Sequence, residues 1–499
     1  MKINYTSYTA HCKKIADIGH SIALLHWDQE VYMPKGGAAF RAGQIATLSG
    51  IAHELSTAES FGELLNNLKD SIDLASAQLR NIELSLEAYN KSKKLNTEFV
   101  IEGAKLQSAA FQAWIMAREN NDYNIFLPAL EKFVVYKKRE AEIRTYQRHP
   151  YDALLDLYEK GASVGQLDPV FDDIKKQLVG FIAKIGKAKQ VDFSFLKGDF
   201  DKDIQWKFGL KLLKKMGYDF NYGRQDISEH PFTISFSPQD VRVTTRIDEK
   251  DFQNMTWSCI HEGGHALYEQ GLKPEQYGTP LGAAISLGIH ESQSRLWENN
   301  VGRSLSYWKA NYSDLQEVFP KQFKGIDLPI FYKAINKIEA GFIRTEADEL
   351  NYHLHVLIRY ELEKSIMSGE LQVKDLRAAW NEKYYDYFNL KVPDDKHGIL
   401  QDIHWAHGSF GYFPTYSMGS IYAAQFYAQA KKDIKDLEKQ IENGNYKILL
   451  DWLRINIHQH GQMYTADELC RRITGEGISF TSFMKYAREK FGEIYNLRN

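Results

Sequence analysis

The feature that most constrains this fold is a pair of histidines, His261 and His265, with a glutamate directly after the first. On an α-helix, side chains four residues apart share one face, so both imidazoles can bind one metal ion. Glu262 then lies beside the metal, where a carboxylate can accept a proton from metal-bound water. The stretch therefore predicts a helix with the HExxH pattern of a metal-dependent hydrolase.

Two glycines, Gly263 and Gly264, stand between these histidines. A glycine inside a helix costs about 1 kcal/mol relative to alanine. Because glycine has no Cβ, another backbone or a peptide substrate can approach it closely. The pair therefore favours a metal site over the alternative, an ordinary amphipathic helix with histidines on its polar face.

An HExxH site needs a third protein ligand and leaves its fourth position to water. The next predicted helix starts near Ser286 and offers two candidates, Glu291 and, further along, Glu298. His290, beside the first candidate, could hydrogen bond to a ligand instead of binding the metal. Cys259 points to another face of the first helix and is predicted to lie in the core.

Alternating hydrophobic residues before the HExxH helix predict two short strands, 229–236 and 240–246. The helix itself is predicted to run from about 251 to 270. An edge strand beside it could pair with an extended peptide through main-chain hydrogen bonds. The alternative is a small structural sheet with solvated arginines at Arg242 and Arg246.

Most of the remaining chain has helical periodicity and little glycine or proline. The predicted helices are 1–30, 40–55, 59–69, 73–93, 97–120, 123–147, 167–187 and 201–215, two between 329 and 369 with a break near Gly341, and several in the C-terminal hundred residues. In the helix that follows Gly341, a polar stripe predicts either a solvated face or the wall of a cleft. This stripe comprises Arg344, Asp348, Tyr352, His355 and Arg359.

The segment 398–419 is rich in glycine and aromatic residues and predicts a loop that lines a site. Its Tyr412 and Tyr416 could donate hydrogen bonds to an oxyanion as a tetrahedral intermediate forms. His404 is a further candidate donor.

The overall composition excludes several classes of partner. The net charge is −3 and no basic block is present, which argues against nucleic acid. No apolar signal segment or membrane-spanning run occurs. Cysteine occurs at Cys12, Cys259 and Cys470, too far apart for a disulfide framework, which favours a reducing compartment. A cytoplasmic protein without membrane partners is expected.

Several separated motifs together resemble the carboxypeptidase Taq family (peptidase family M32), a group of metallocarboxypeptidases. The motifs follow one another in the family's order: HPF at 230–232, DxRxT at 240–244, HExxH at 261–265, HESQ at 290–293, IRxxAD at 343–348 and GxxQDxHW at 398–405. The segments 27–37 and 149–152 are similar to the family's N-terminal motifs, although Glu30 stands where threonine is expected. The resemblance covers nearly the whole chain.

The resemblance implies a mainly α, saddle-like metallopeptidase with a deep central groove, usually a homodimer. The predicted β-ribbon lies beside the HExxH helix. We predict a single peptidase unit over residues 1–499. Within it, 1–225 forms a helical wall of the groove, 226–425 contains the metal and substrate sites, and 426–499 forms C-terminal helices.

The resemblance also implies His261, His265 and Glu291 as metal ligands and Glu262 as general base and acid. Zn²⁺ is expected, with Co²⁺ or Mn²⁺ as alternatives, because ligand identity separates these metals poorly. The expected reaction removes single residues from peptides with a free C-terminus, with broad preference except for a terminal proline.

A carboxypeptidase must also bind the free carboxylate of its substrate, and arginine is suited to that role. Arg344 is the first candidate, with Arg359 and Arg242 as alternatives. Further substrate-binding candidates come from the matched motifs and are His230, Asp240, Thr244, Gln293, Asp348 and Gln401.

Two other functions stay open. An HExxH endopeptidase or dipeptidyl carboxypeptidase would release internal fragments or dipeptides. A non-enzymatic helical binding protein, with an accidental HExxH, would hold no metal. Product size separates the first from a carboxypeptidase, and insensitivity to a chelator identifies the second.

Overall fold

A computed structural model describes residues 5–497 of the chain. Helices dominate it, which confirms the predicted mainly α class. In chain order the described α-helices are α1 (Tyr5–Val31), α2 (Ala38–Thr57), α3 (Glu59–Leu68), α4 (Ser76–Lys94), α5 (Thr97–Asn120), α6 (Tyr123–Arg144), α7 (Asp152–Leu155), α8 (Val164–Gly186), α9 (Lys202–Met216), α10 (Phe252–Glu269), α11 (Leu287–Arg295), α12 (Leu305–Val318), α13 (Leu328–Ala334), α14 (Asn351–Ser368), α15 (Leu376–Phe388), α16 (Pro414–Asp433), α17 (Leu437–Glu442), α18 (Lys447–Asn456), α19 (Ala466–Thr474) and α20 (Thr481–Ile494). The predicted first helix began at residue 1, and residues 1–4 lie outside the described range.

A three-stranded sheet lies next to the HExxH helix, α10. Its strands are β1 (Gly223–Ile227), β2 (Thr233–Ser237) and β3 (Asp240–Thr245), in the order β1-β3-β2. The predicted ribbon is confirmed, because β2 and β3 pair antiparallel and both contact α10. β2 begins later than predicted, since Pro231 has no N–H to donate to a strand ladder. The third strand, β1, was not predicted from the sequence; it pairs parallel to β3.

The chain divides into two compact units, each assembled from separate stretches. The first unit comprises Met1–Lys93, Asp192–Ile335 and Ala423–Gly477, and it contains the sheet with α10 and α11. The second comprises Lys94–Val191, Asn336–Tyr422 and Ile478–Asn499, and it contains α14. The division into 1–225, 226–425 and 426–499 stays a prediction, as do the saddle-like outline and the groove.

Aromatic side chains fix the start of α10 inside the first unit. The Phe252 ring lies 5.7 Å from the ring of Phe200 and 5.4 Å from that of Phe323, measured between centroids. Tilted and edge-on pairs of this kind add to the free energy gained by burying the rings. Cys259, further along α10, is buried, as predicted.

In the second unit, the predicted polar stripe before residue 369 needs correction. The helix α14 starts only at Asn351, because the Asp348 carboxylate accepts hydrogen bonds from the backbone N–H groups of Leu350 and Asn351. Arg344 precedes the helix, in a 3-10 turn. The alternative of a solvated face is wrong, since Arg344 and Arg359 are both buried.

The loop predicted over 398–419 is shorter than expected. The helix α16 begins at Pro414, so Tyr416 lies on a helix while His404 and Tyr412 remain in the irregular segment. Proline suits the first helical position because it needs no hydrogen-bond acceptor there. Within residues 5–497, no helix combines the length and the apolar character that a membrane crossing requires.

Candidate metal centre

Three donor atoms converge at the HExxH helix. The Nε2 atoms of His261 and His265, on α10, lie 3.7 and 3.5 Å from Oε2 of Glu291, on α11. All three donor atoms lie within 4.8 Å of one another. Ligand atoms about 2.1 Å from a tetrahedral metal ion are about 3.4 Å apart, so this group fits a divalent metal in both size and chemistry.

Gly264 allows α11 to come this close to α10. A Cβ atom at this position would lie 2.6 Å from Cα of Ser294 and 2.7 Å from the carbonyl oxygen of Gln293. Gly263 instead meets the side chain of Leu213, on α9, at 2.7 Å. The glycine pair was expected to allow close approach of either another backbone or a peptide substrate. At Gly264 it is the backbone of α11 that comes close.

Glu298, the alternative third ligand, contacts a different atom from the metal donors. Its Oε2 lies 2.9 Å from Nδ1 of His261, the ring nitrogen that does not point to Glu291. It lies on a π-helix, Leu296–Gly302, that continues α11. Glu298 can therefore fix the ring of His261, as carboxylates next to metal-binding histidines commonly do.

Arginines keep both glutamates ionised. Burial alone would raise the pKa of Glu291, but Arg295 and the two histidines outweigh burial and hold the pKa well below its usual range. For Glu298, His261 and the arginines Arg295 and Arg303 likewise outweigh burial and lower the pKa. Ionised carboxylates are the form that metal binding requires.

The charge states of the two histidines differ. Burial, reinforced by His290, lowers the pKa of His265, so its ring is neutral near pH 7. Burial also opposes protonation of His261, but the carboxylates of Glu291 and Glu298 outweigh it and raise the pKa of that ring. A metal cation bound at Nε2 of His261 would take the place of this proton.

Glu262 is held by the neighbouring sheet. It is 7% exposed, and its Oε2 accepts a hydrogen bond of 2.7 Å from the hydroxyl of Thr233, on β2. Thr233 was not among the predicted site residues, although it directly follows the HPF motif. The contact shows how the sheet fixes the predicted general base.

The predicted substrate-binding residues of the first unit have diverse surroundings. The guanidinium of Arg242 bonds to both carboxylate oxygens of Asp240 and lies 4.4 Å from the ring centre of Trp27. His230 is exposed. The Thr244 hydroxyl accepts a hydrogen bond from the hydroxyl of Ser228 inside the sheet region. The substrate roles of these residues stay predictions.

Gln293 is fully buried, and its amide makes two hydrogen bonds. The Nε2 group donates to the hydroxyl of Ser292, and the Oε1 atom lies 2.9 Å from Nε2 of His458. These bonds place Gln293 in the packing of α11, so its predicted role in binding substrate stays a prediction.

In the second unit, two arginines share one carboxylate. Nε of Arg344 donates to Oδ1 of Asp402 at 2.9 Å, and Nε of Arg359 donates to Oδ2 at 2.7 Å. Gln401 joins them, because its Oε1 accepts from Arg359 and from the backbone N–H of Arg344. Burial opposes these charges, but ion pairing outweighs it and lowers the pKa of Asp402 while raising that of Arg344.

The three predicted oxyanion donors lie close together, and Tyr416 contacts Arg344. The Tyr416 ring lies 4.8 Å from the guanidinium carbon of Arg344, and its hydroxyl lies 3.1 Å from Nε2 of His404. The rings of Tyr412 and Tyr416 are 5.2 Å apart. Burial lowers the pKa of His404 to about 3 despite the nearby Asp402, so its ring is neutral near pH 7.

Asp348 and Asp402 both have structural contacts that were not predicted from the sequence. Asp348 holds the start of α14, as its bonds to backbone N–H groups show. Asp402 was not among the predicted site residues, yet it links both arginines. The sequence signal was available, because Asp402 lies in the GxxQDxHW motif beside Gln401.

Comparisons with known proteins show similarity to one family of metallopeptidases. The family model described as carboxypeptidase Taq (M32) metallopeptidase matches residues 7–491. Carboxypeptidase 1 of Bacillus subtilis (strain 168) is 39% identical over 487 residues, which cover 97% of each chain. The M32 carboxypeptidase from Deinococcus radiodurans R1 is 37% identical, with a TM-score of 0.97 and 99% of each chain covered.

A further solved structure, described as the structure of CHT, is 55% identical, with a TM-score of 0.97 and 99% of each chain covered. These similarities extend over practically the whole chain rather than over the HExxH helix alone. The chain therefore belongs to the carboxypeptidase Taq (M32) family and is a metallocarboxypeptidase, a peptide hydrolase that uses a divalent metal.

Proposed function

We propose that the protein releases single amino acids from the C-terminus of peptides with broad side-chain preference. His261, His265 and Glu291 would hold the metal, and the observation that carries the proposal is the convergence of their donor atoms within 4.8 Å. Two imidazoles and a carboxylate with one open position are typical of catalytic zinc. Zn²⁺ is therefore the proposed metal, with Co²⁺ and Mn²⁺ as alternatives.

When bound there, the metal would polarise the scissile carbonyl and lower the pKa of a water toward about 7. Glu262 would take a proton from the attacking water and later pass it to the leaving amine. The Thr233 hydroxyl lies 2.7 Å from Oε2 and 2.9 Å from the backbone carbonyl oxygen of Glu262; when its single hydrogen bonds to Oε2, Oε1 is the oxygen left to take the proton. The hydrogen bond thereby fixes the orientation of the base.

Tyr416 and His404 would stabilise the negative charge that develops on the carbonyl oxygen. A tyrosine hydroxyl has a single hydrogen, so its oxygen must accept from His404 if the hydrogen is to bond to the oxyanion. The 3.1 Å contact and the neutral ring of His404 allow Nε2–H to donate to Tyr416. Tyr412 is proposed as an additional donor.

Arg344 is our proposed group for the terminal carboxylate. With Arg359 and Asp402 it forms a buried cluster in which two positive charges face one negative charge. A substrate carboxylate would neutralise the remaining charge and accept charge-assisted hydrogen bonds.

The other two arginines are less suited to bind the carboxylate. Arg359 is fully buried, and its N–H groups bond to Asp402, Gln401 and the carbonyl of His355. Arg242 is already paired with Asp240 through both of its carboxylate oxygens.

A homodimer in the cytoplasm completes the proposal. The family resemblance supports the dimer, and three buried cysteine thiols, Cys12, Cys259 and Cys470, suit a reducing compartment. Sedimentation of the purified protein as a monomer would contradict the dimer.

The proposal is tested by amino-acid release from a blocked dipeptide and from a longer peptide. We expect stepwise release of single C-terminal residues that stops with a chelator and returns with Zn²⁺ or Co²⁺. Glu262→Gln is expected to keep the metal and lose about 10²- to 10⁴-fold in kcat, because proton transfer is lost. Exposed Glu275→Gln is the matched control.

Release of dipeptides or internal fragments would assign the protein to the endopeptidase or dipeptidyl carboxypeptidase alternative. A Glu262→Gln variant with normal kcat would overturn the role of Glu262 as base while leaving the metal site intact.

A further inference from the structure

A chain of three side chains leads away from the proposed metal ligand His265. Its Nδ1 atom lies 2.6 Å from Nδ1 of His290, on α11. The other ring nitrogen of His290, Nε2, lies 2.9 Å from Oε1 of Glu269. Glu269 is one turn beyond His265 on α10, so α10 supplies both ends of the chain and α11 supplies its middle.

The acceptor character of Glu269 determines the direction of every hydrogen bond in this chain. Burial alone would raise the pKa of Glu269, but its bonds to His290 and Ser235 outweigh burial and lower the pKa. An ionised carboxylate can only accept, so His290 must carry its hydrogen on Nε2. With that hydrogen on Nε2, His290 can accept the hydrogen on Nδ1 of His265 at its own Nδ1.

This direction leaves His265 with its lone pair on Nε2. That atom is the one that lies 3.5 Å from Oε2 of Glu291, within the proposed donor group. Metal ions bind the unprotonated nitrogen of a neutral imidazole, and the partner of the other nitrogen selects the tautomer. Glu269 and His290 thus select the tautomer of His265 that can bind a metal.

Ring packing fixes the orientation as well as the tautomer. The imidazoles of His265 and His290 stack with their centres 4.5 Å apart and their planes 29° from parallel. The ring of Tyr268 lies 5.4 Å from that of His290. By contrast, Nδ1 of His261 contacts a carboxylate directly, that of Glu298, with no second histidine between them. The two histidines are therefore held by different arrangements.

We propose that Glu269 and His290 are positioning residues of the metal centre, which hold His265 in its metal-binding tautomer and orientation and so raise the affinity for the metal. The inference rests on the proposed function, because it takes His265 as a ligand. It also extends the sequence signature of the site from HExxH to HExxHxxxE, since His261, His265 and Glu269 follow at helical spacing.

The test measures the dissociation constant for Zn²⁺ on the full chain, by competition with a chromogenic chelator. His290→Phe keeps an aromatic ring but removes both nitrogens, and we expect it to weaken zinc binding by about 10- to 100-fold. His11→Phe is the matched control, since a ring nitrogen of His11 also makes a hydrogen bond, to the carbonyl oxygen of Leu55. This control is expected to leave zinc affinity unchanged.

A second pair of variants separates positioning from mere folding. The amide oxygen of Glu269→Gln can still accept from His290, whereas Glu269→Leu offers no acceptor. We expect Glu269→Leu to weaken zinc binding several-fold more than Glu269→Gln. This pair decides the matter if His290→Phe fails to fold.

The failures of the two proposals are distinguishable. Zinc affinity of folded His290→Phe equal to that of the unchanged protein would overturn the positioning role, as would equal affinities of the two Glu269 variants. If the unchanged protein itself binds no Zn²⁺, the proposed metal site fails instead.

Discussion

Asp402 lies between the guanidinium groups of Arg344 and Arg359, with one carboxylate oxygen facing each. Loss of Arg359 and loss of Arg344 would therefore have different consequences. Loss of Arg359 would remove one hydrogen-bond partner each from the buried Asp402 carboxylate and the Gln401 amide oxygen, which destabilises the fold. Loss of Arg344 would leave Asp402 paired with Arg359 and would remove the charge that we assign to substrate binding.

We predict that Arg344→Gln raises KM for peptides with a free C-terminal carboxylate by about 10- to 100-fold, because a charged hydrogen bond contributes about 1.5–3 kcal/mol. Peptides that end in a carboxamide should be affected far less. The measurement compares kcat/KM for a pair of peptides that differ only in this end group.

Arg488→Gln, at an exposed position on α20, serves as the control for this prediction. Equal losses on both peptides would show that Arg344 supports the fold or another step, and would contradict its assignment to the carboxylate.

At the scale of elements, Gly264 sets the distance between α10 and α11. We predict that Gly264→Ala lowers stability by about 1–3 kcal/mol, because its Cβ would collide with backbone atoms that cannot move as freely as side chains. Zinc affinity should fall as well, since Glu291 would move away from the histidines. Thermal unfolding and chelator competition measure the two effects.

Gly180, on α8, provides the opposite case. A Cβ at this position meets nothing within 4 Å, so Gly180→Ala should raise stability by about 0.5–1 kcal/mol through the better helix propensity of alanine.

If Gly264→Ala proves as stable as the unchanged protein and binds zinc as tightly, the close approach of α10 and α11 does not limit the metal site.

The sequence predicted those elements whose signal is local. The spacing of His261 and His265 predicts α10, and alternation predicts β2 and β3. β1 reads Gly-Arg-Gln-Asp-Ile without such alternation, and it is a strand because it pairs with β3. Its structure depends on a partner rather than on its own sequence.

The burial of charged side chains was not predictable for the same reason. Arg344 and Arg359 read as a polar stripe because their partner, Asp402, lies 58 and 43 residues further along the chain. Likewise, the role of Glu298 depends on Nδ1 of His261 and on the π-helix that continues α11. The motifs identified which residues matter, and the structure identified their partners.

At the scale of the whole molecule, stability depends on pH through buried carboxyl groups. Glu363, on α14, is fully buried and accepts hydrogen bonds from Tyr151, Trp405 and the backbone N–H of Gly411. Burial nevertheless outweighs these bonds and raises the pKa of Glu363 from 4.5 to about 7. The folded protein therefore holds this proton more tightly than the unfolded chain does.

We predict that Glu363 makes the protein less stable as pH rises from about 4.5 to about 7, by about 3 kcal/mol in total, since its folded pKa is the higher one. Glu291, Glu298 and Asp402 act in the opposite sense, because their pKa values are lowered and their stabilisation is lost on acidification below about 4.5.

Urea unfolding at pH 5 and pH 7.5 tests this prediction. The free energy of unfolding of Glu363→Gln, taken relative to that of the unchanged protein, should be higher at pH 7.5 than at pH 5. The reason is that an amide does not titrate. Glu382→Gln, exposed on α15, should show no such difference between the two pH values. A difference of the same size in both variants would exclude Glu363 as its source.

The first unit is made of three separated stretches, and this has a consequence for its synthesis. Gln293, next to the metal-binding helix, bonds to His458, which lies 165 residues later. At about 5–20 residues per second, His458 leaves the ribosome about 8 to 33 s after Gln293. Until then the amide oxygen of Gln293 lacks this partner, so the packing around α11 stays incomplete while the residues up to His458 are being made. The native surroundings of α11 are therefore completed only late in the synthesis of this chain.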